Sequence, residues 1–190
     1  MDTLLSVLLG IGLSAACGFR IFVPFLLVGI GARTGHVALG PTFVWMAGAP
    51  ALIALSVATV VEVGAYYIPW LDHVLDLVAT PAAVLAGVVM TASVVTGLDP
   101  MLKWTLALIA GGGVAGTVQA LTVGTRKVSL VTTGGIANPV VSTLELLGAV
   151  IVTVLAIAVP LAAFALIVWA LFFGVRHLLR LIGGTGRAAA

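Results

Sequence analysis

The chain has 190 residues, 62% of them hydrophobic and 7% charged, with eight Lys or Arg against six Asp or Glu and a formal net charge of +2. Soluble domains are about a quarter charged, so fourteen charged side chains exclude a water-soluble fold, and the mean hydropathy of +1.33 agrees. A spanning helix takes roughly 20 apolar residues, so the length admits five or six spans, and no basic cluster interleaved with aromatics speaks for nucleic acid.

The expected architecture is all-α: a polytopic transmembrane bundle of five or six helices over residues 1–182, then a short basic tail over 183–190. The first apolar run covers about Thr3 to Ala32 and holds Arg20 and Pro24. Pro24 lacks the N–H that would bond the Arg20 carbonyl, so a kink is expected there, opening a polar pocket. Leu13 to Cys17 loosely resembles a lipoprotein cleavage box. The stretch before it has no basic residue, and the apolar run continues past it, so the single cysteine, Cys17, reads as a packing residue.

A polar break with Arg33 and His36 leads to a second run, Phe43 to Ile68, carrying Glu62 about 18 Å along the helix from Pro50. Tyr66, Tyr67 and Trp70 suit headgroup level. The stretch Pro69 to Asp76 is too polar for lipid. Thr80 and Pro81 read as the cap and first turn of a third helix, and Leu98-Asp99-Pro100 as a turn. The fourth run, about Trp104 to Gly124, contains Gly112 and Gly116, a GxxxG pair that lets helices approach closely, either within the chain or in a homo-oligomer. Arg126 and Lys127 read as the start of a polar loop through Thr132, Thr133, Gly134 and Gly135. Asn138 then caps a helix whose first residue is Pro139. From there to about Ile182 the chain is apolar, roughly 65 Å if helical, so a fold-back at Pro160 into two spans is expected. Arg176, His177, Arg180 and Arg187 place the C-terminus on the cytoplasmic side.

Pro69 with Asp76, and Pro139 with Glu145, form a weak internal repeat of the kind that inverted-repeat transporters place around broken segments. The expected site draws on ionisable residues inside apolar runs, which are costly in hydrocarbon unless paired or wet. Glu62 and Glu145 are the candidate ion or proton ligands, and Arg20 sets their charge balance. Asp72 and Asp76, four apart on one face, form an acidic entrance with Thr80 continuing the face. Asp72, His73 and Asp76 are also a weak metal-binding candidate. Thr132, Thr133 and Asn138, beside a helix N-terminus, are a candidate anion site.

Several stretches in combination resemble a bacterial membrane family described as domain of unknown function 4126. They are Gly12 to Arg20, Ala65-Tyr66-Tyr67-Ile68-Pro69, Ala79-Thr80-Pro81, Thr132 to Gly135, and Asn138 to Glu145. The resemblance covers most of residues 3–165. It implies a multi-pass protein of the bacterial inner membrane, and it brings neither an activity nor site residues.

The functional expectation is therefore a small transporter or channel moving a cation or a proton-coupled solute past buried carboxylates. The partners are the lipid bilayer and a small ion or solute, with no cofactor beyond a bound cation. The alternative is a non-transporting scaffold or lipid-binding protein in which Arg20 pairs structurally with Glu62 or Glu145. No catalytic motif is present, so an enzyme is not expected.

Overall fold

A computed structural model describes residues 2–134 and 136–185, with the side chains at 69–77 and 177–185 outside the described set. The described residues are all-helical: α1 (Thr3–Phe19), α2 (Phe22–Arg33), a 3-10 segment (Pro41–Ala47), α3 (Ala49–Ala65), α4 (Pro69–Val94), α5 (Pro100–Leu106), a π-helical turn (Ala107–Gly112), α6 (Gly113–Thr133), α7 (Asn138–Ala158) and α8 (Pro160–Thr185). Among them, two helical stretches are long and apolar enough to cross a membrane. They are Pro100–Thr133, which joins α5, the π turn and α6, and α7. The 3-10 segment with α3, bent by 68°, makes a third if counted as one span.

The first apolar run does more than kink. Arg20 is extended (φ −147°, ψ 136°), α1 stops at Phe19, and α2 restarts with Pro24 as its third residue. A proline there costs nothing, because the first N–H groups of a helix have no intrahelical partner. The chain then turns back. The Ser6 hydroxyl at the start of α1 accepts from Thr96 N–H at 3.3 Å. After α2, Gly40 N–H donates to Ser93 O at 2.8 Å, at the same end of α4. α1 and α2 thus form a helical hairpin that enters from one end of the bundle and returns to it, with Arg20 and Ile21 at the tip.

α1 is the central element, packed against α4, α6, α7 and α8. Eleven of its residues are buried, and most are Gly, Ala, Ser or Leu. With no hydrophobic drive between helices in lipid, close packing through small residues is what holds a bundle. Gly18 shows how tight it is, since a Cβ there would lie 2.6 Å from Ala115 O and from the Val118 Cβ.

Four expectations about elements change. α4 begins at Pro69 and runs through Pro81. Ending a helix at membrane depth strands backbone groups with no water to receive them, so an interior proline is the smaller cost. α6 runs on to Thr133, so Arg126 and Lys127 lie in a helix, not in a loop. α7 starts at Asn138 with Ala137 in the cap position, so Asn138 is its first residue and not its cap. Tyr66, expected at headgroup level, is 7% exposed. The break at Pro160 is present: Val159 leaves helical geometry (φ −142°, ψ 78°) and α8 packs back on α7 and α1. Gly112 and Gly116 face Val84 and Val88 of α4 in the same chain, which accounts for the pair without a second copy.

Candidate functional site

The tip of the hairpin is buried in charge. Two helix faces meet there. On α6 the buried polar residues are Gln119, Thr122, Arg126 and Ser129, and in the first two turns of α7 they are Asn138, Ser142 and Glu145. Both sets follow the three-and-four spacing of a single helical face, so α6 and α7 share a polar seam inside an apolar bundle.

Glu145 is its centre, 4% exposed. Its Oε1 accepts from Arg126 Nε at 2.9 Å, and its Oε2 accepts from Arg126 Nη2, a two-pronged pairing. Arg20 Nη2 reaches the same Oε2 at 3.3 Å and donates to the Ser142 carbonyl at 3.1 Å. Two guanidiniums therefore share one carboxylate. Both also stack on Tyr66, with Cζ of Arg20 and Arg126 lying 3.8 and 4.1 Å from its ring centroid. The ring's negative face helps offset the repulsion between two cations held so close. Ser142 Oγ donates to the Tyr66 carbonyl at 3.4 Å, which fixes the start of the α3–α4 connection on α7. Arg20 Nε and Nη1 are buried and have no hydrogen-bond partner among the described residues.

Glu62 does a different job. It sits in the last turn of α3, where its Oε1 accepts from Ile21 N–H at 2.7 Å and its Oε2 from Phe22 N–H at 3.0 Å. It caps the N-terminus of α2 from a distant helix, supplying acceptors that lipid cannot and a negative charge at the positive end of the dipole.

The sequence-derived residues thus divide. Arg20 and Glu145 meet. Glu62 lies against the same tip but is bound to backbone and not to either arginine. Thr132 and Thr133 donate to carbonyls of their own helix, Val128 O at 2.8 Å and Ser129 O at 2.7 Å, so those hydroxyl protons are committed to α6. Asn138 is buried at the first turn of α7. The side chains of Asp72, His73 and Asp76, and with them the acidic entrance, the metal candidate and the first half of the repeat, lie outside the described residues.

The reading of the sequence missed Arg126, Tyr66 and Ser142. The signal for Arg126 was present: 119, 122, 126 and 129 fall on one face, while Lys127 is exposed.

The sequence model of a family described as "Domain of unknown function (DUF4126)" matches residues 7–180. No curated protein and no solved structure matches the chain.

Proposed function

The chain belongs to the DUF4126 family, which brings no activity with it, and we propose that it is a small membrane transporter whose solute passes the Arg20–Glu145–Arg126 centre. The observation that carries this reading is the hairpin tip: a helix broken inside an apolar bundle, with three ionisable side chains joined at the break. Transporters build solute sites from such broken helices, whose free ends offer backbone groups and dipole charge. Ionisable residues within spans mark pathways more often than they mark surfaces.

Of the two arms of the sequence expectation, the geometry favours the proton-coupled solute. A cation needs free carboxylate oxygens. Those of Glu62 are held by two N–H groups and those of Glu145 by two guanidiniums. Two guanidiniums gathered at one buried carboxylate suit a solute that carries its own acidic group better than a bare cation.

The alternative reading, a scaffold with a structural ion cluster, draws support from that same full engagement of the carboxylates. Flux into proteoliposomes under a proton gradient separates the two, comparing wild type with Glu145→Gln/Arg126→Gln, a double variant that removes one charge of each sign. A transporter loses flux in a variant that remains monodisperse. Absence of flux in wild type, for inorganic cations and for small organic anions alike, overturns the transport reading.

A further inference from the structure

α3 is held lightly. None of its residues is buried, and it packs against α2 and the 3-10 segment, from which it departs at a bend of 68°. Between α2, α3 and α4 lies an apolar cavity of about 310 Å³, whose lining includes Ile21, Phe22, Phe25, Trp45, Leu55 and Leu85. Where side chains leave space unfilled, the dispersion contacts that would hold a helix in place are missing. What fastens α3 at the tip is Glu62, two turns beyond Leu55 on the same face. Its two oxygens accept from the N–H groups of Ile21 and Phe22, and those two residues also line the cavity. Latch and cavity wall are therefore one piece of chain, and the next residue inward is Arg20. The connection after α3 stays on α7, through the Tyr66 carbonyl and a 2.8 Å contact of Tyr67 Oη with Thr143 Oγ1, which gives α3 a fixed point about which to turn.

Such a latch responds to a proton. As a carboxylate, Glu62 has one acceptor oxygen for each amide. A proton converts one oxygen into an O–H donor, so one amide loses its partner, and the negative charge at the positive end of α2 goes with it. At Glu145 a proton would have to compete with two guanidiniums. At Glu62 it competes with two uncharged amides. Among the described residues, the charged or titratable groups around Glu62 are Arg20 at the tip, Arg126 of α6 and the buried Cys17 thiol of α1. Tyr66 and Tyr67 follow it in the chain. α2 offers only Arg33, at its far end on Ala47 O, and the 3-10 segment and the rest of α3 have no titratable side chain. Glu62 is half-buried, and the tip lies at the level of Glu145, two turns or about 10 Å from the start of α7. That end of the bundle is the nearer source of the proton.

We propose that Glu62 is a proton-binding site that works the α2–α3 seam as a gate. Charged, it closes the seam over the tip; protonated, it frees one amide, and the cavity opens inward to Arg20. Linkage fixes the sign. The closed form needs the carboxylate, so closure is favoured as pH rises and opening as pH falls. This rests on the transport reading in taking the proton to be the coupled ion, and the gate itself is read without flux.

The test is hydrogen exchange of the full chain in nanodiscs from about pH 8 to about pH 4, the range in which a carboxyl group titrates, with rates corrected for the intrinsic pH dependence of amide exchange. Protection of the peptide carrying Ile21 and Phe22 should fall on acidification, by up to about tenfold per pH unit for the uptake of one proton, while the interior of α7 keeps its own. In Glu62→Gln, which takes up no proton, protection there should be low and independent of pH. Phe25→Cys, in the cavity wall, reads the opening. Its rate with N-ethylmaleimide, relative to Val60→Cys on the exposed face of α3, should rise severalfold on acidification. A flat profile at Ile21 and Phe22 in wild type, a loss of protection shared by α7, a pH response retained by Glu62→Gln, or a constant rate ratio at Phe25→Cys each overturns the proposal, and the first two need no variant to fold. Protection that follows pH without flux overturns the transport reading alone, and flux with a flat profile overturns this one alone.

Discussion

Glu145 holds two guanidiniums with two oxygens, and the balance of that arrangement decides what each substitution does. Removing one partner of a buried ion cluster leaves a charge with nothing to offset it, typically at a cost of about 3–5 kcal/mol. Glu145→Gln leaves two cations stacked on one tyrosine, so it should destabilise by about 3 kcal/mol or more. Adding Arg126→Gln removes one of those two cations, and the double variant should be more stable than Glu145→Gln alone, with a coupling of about 1–3 kcal/mol. Thermal unfolding in detergent reads both values. Additive losses would mean that the two side chains do not interact. Tyr66→Leu should cost about 1–2 kcal/mol by the same assay, because it removes the ring face from two cations. At this scale the sequence revealed Arg20 and Glu145, because an ionisable residue inside an apolar run is conspicuous. It concealed Arg126, because Lys127 and the threonines that follow made the same segment look like an exit from the membrane. Only the helical spacing of Gln119, Thr122, Arg126 and Ser129 separates the two readings.

The α1–α2 hairpin exists because two costs are met together. Pro24 lacks the N–H that the Arg20 carbonyl would accept in one continuous helix, and the N–H groups freed at Ile21 and Phe22 by the break find Glu62. The proline was legible in the sequence. The cap was not, since no local pattern joins residues 21 and 62, and for that reason Glu62 read as an ion ligand. Glu62→Ala should expose both amides to exchange, and hydrogen exchange in nanodiscs should show lost protection at Ile21 and Phe22 while the interior of α7 keeps its own. Protection unchanged at the tip would remove Glu62 from its capping role. Helix contact carries the rest of the fold. A Cβ at Gly87 would lie 2.5 Å from the Ala115 Cβ and 2.6 Å from Gly111 O, whereas one at Gly113 meets nothing within 4 Å. Gly87→Ala should therefore force α4 away from the π turn and α6 at a cost of about 1–3 kcal/mol. Gly113→Ala should be neutral or stabilising by up to about 1 kcal/mol through helix propensity. Equal effects of the two in detergent unfolding would show that this seam is not closely packed.

Across the whole molecule, contacts between ends fix which termini and turns lie together. The start of α1, the 34–40 loop and the 95–99 turn gather at one end, through Ser6 with Thr96 and Gly40 with Ser93. From there Pro100–Thr133, 34 residues or about 50 Å of helix, leads to the opposite end and the turn before α7. Composition made the membrane legible, and Pro160 made the last hairpin legible. The sidedness of the first run was not, because apolar residues are equally at home in a span and in a hairpin that turns back. The measurement is cysteine labelling. Cys17 is the sole cysteine and fully buried, so single cysteines can be introduced against a silent background. His36→Cys, Met101→Cys and Ile136→Cys all replace exposed residues outside the helix interior or near its ends. In sealed, oriented vesicles, a membrane-impermeant maleimide should label positions 36 and 101 from one side and 136 from the other. That outcome puts the end of α2 on the side of the 95–99 turn, where Ser6 holds the start of α1, as a hairpin that returns to its own side requires. Labelling of 36 together with 136 would instead separate the end of α2 from the 95–99 turn, and with Ser6 held on Thr96 the chain would then cross between Thr3 and Arg33, so that the buried tip at Arg20 would no longer be the end of a hairpin.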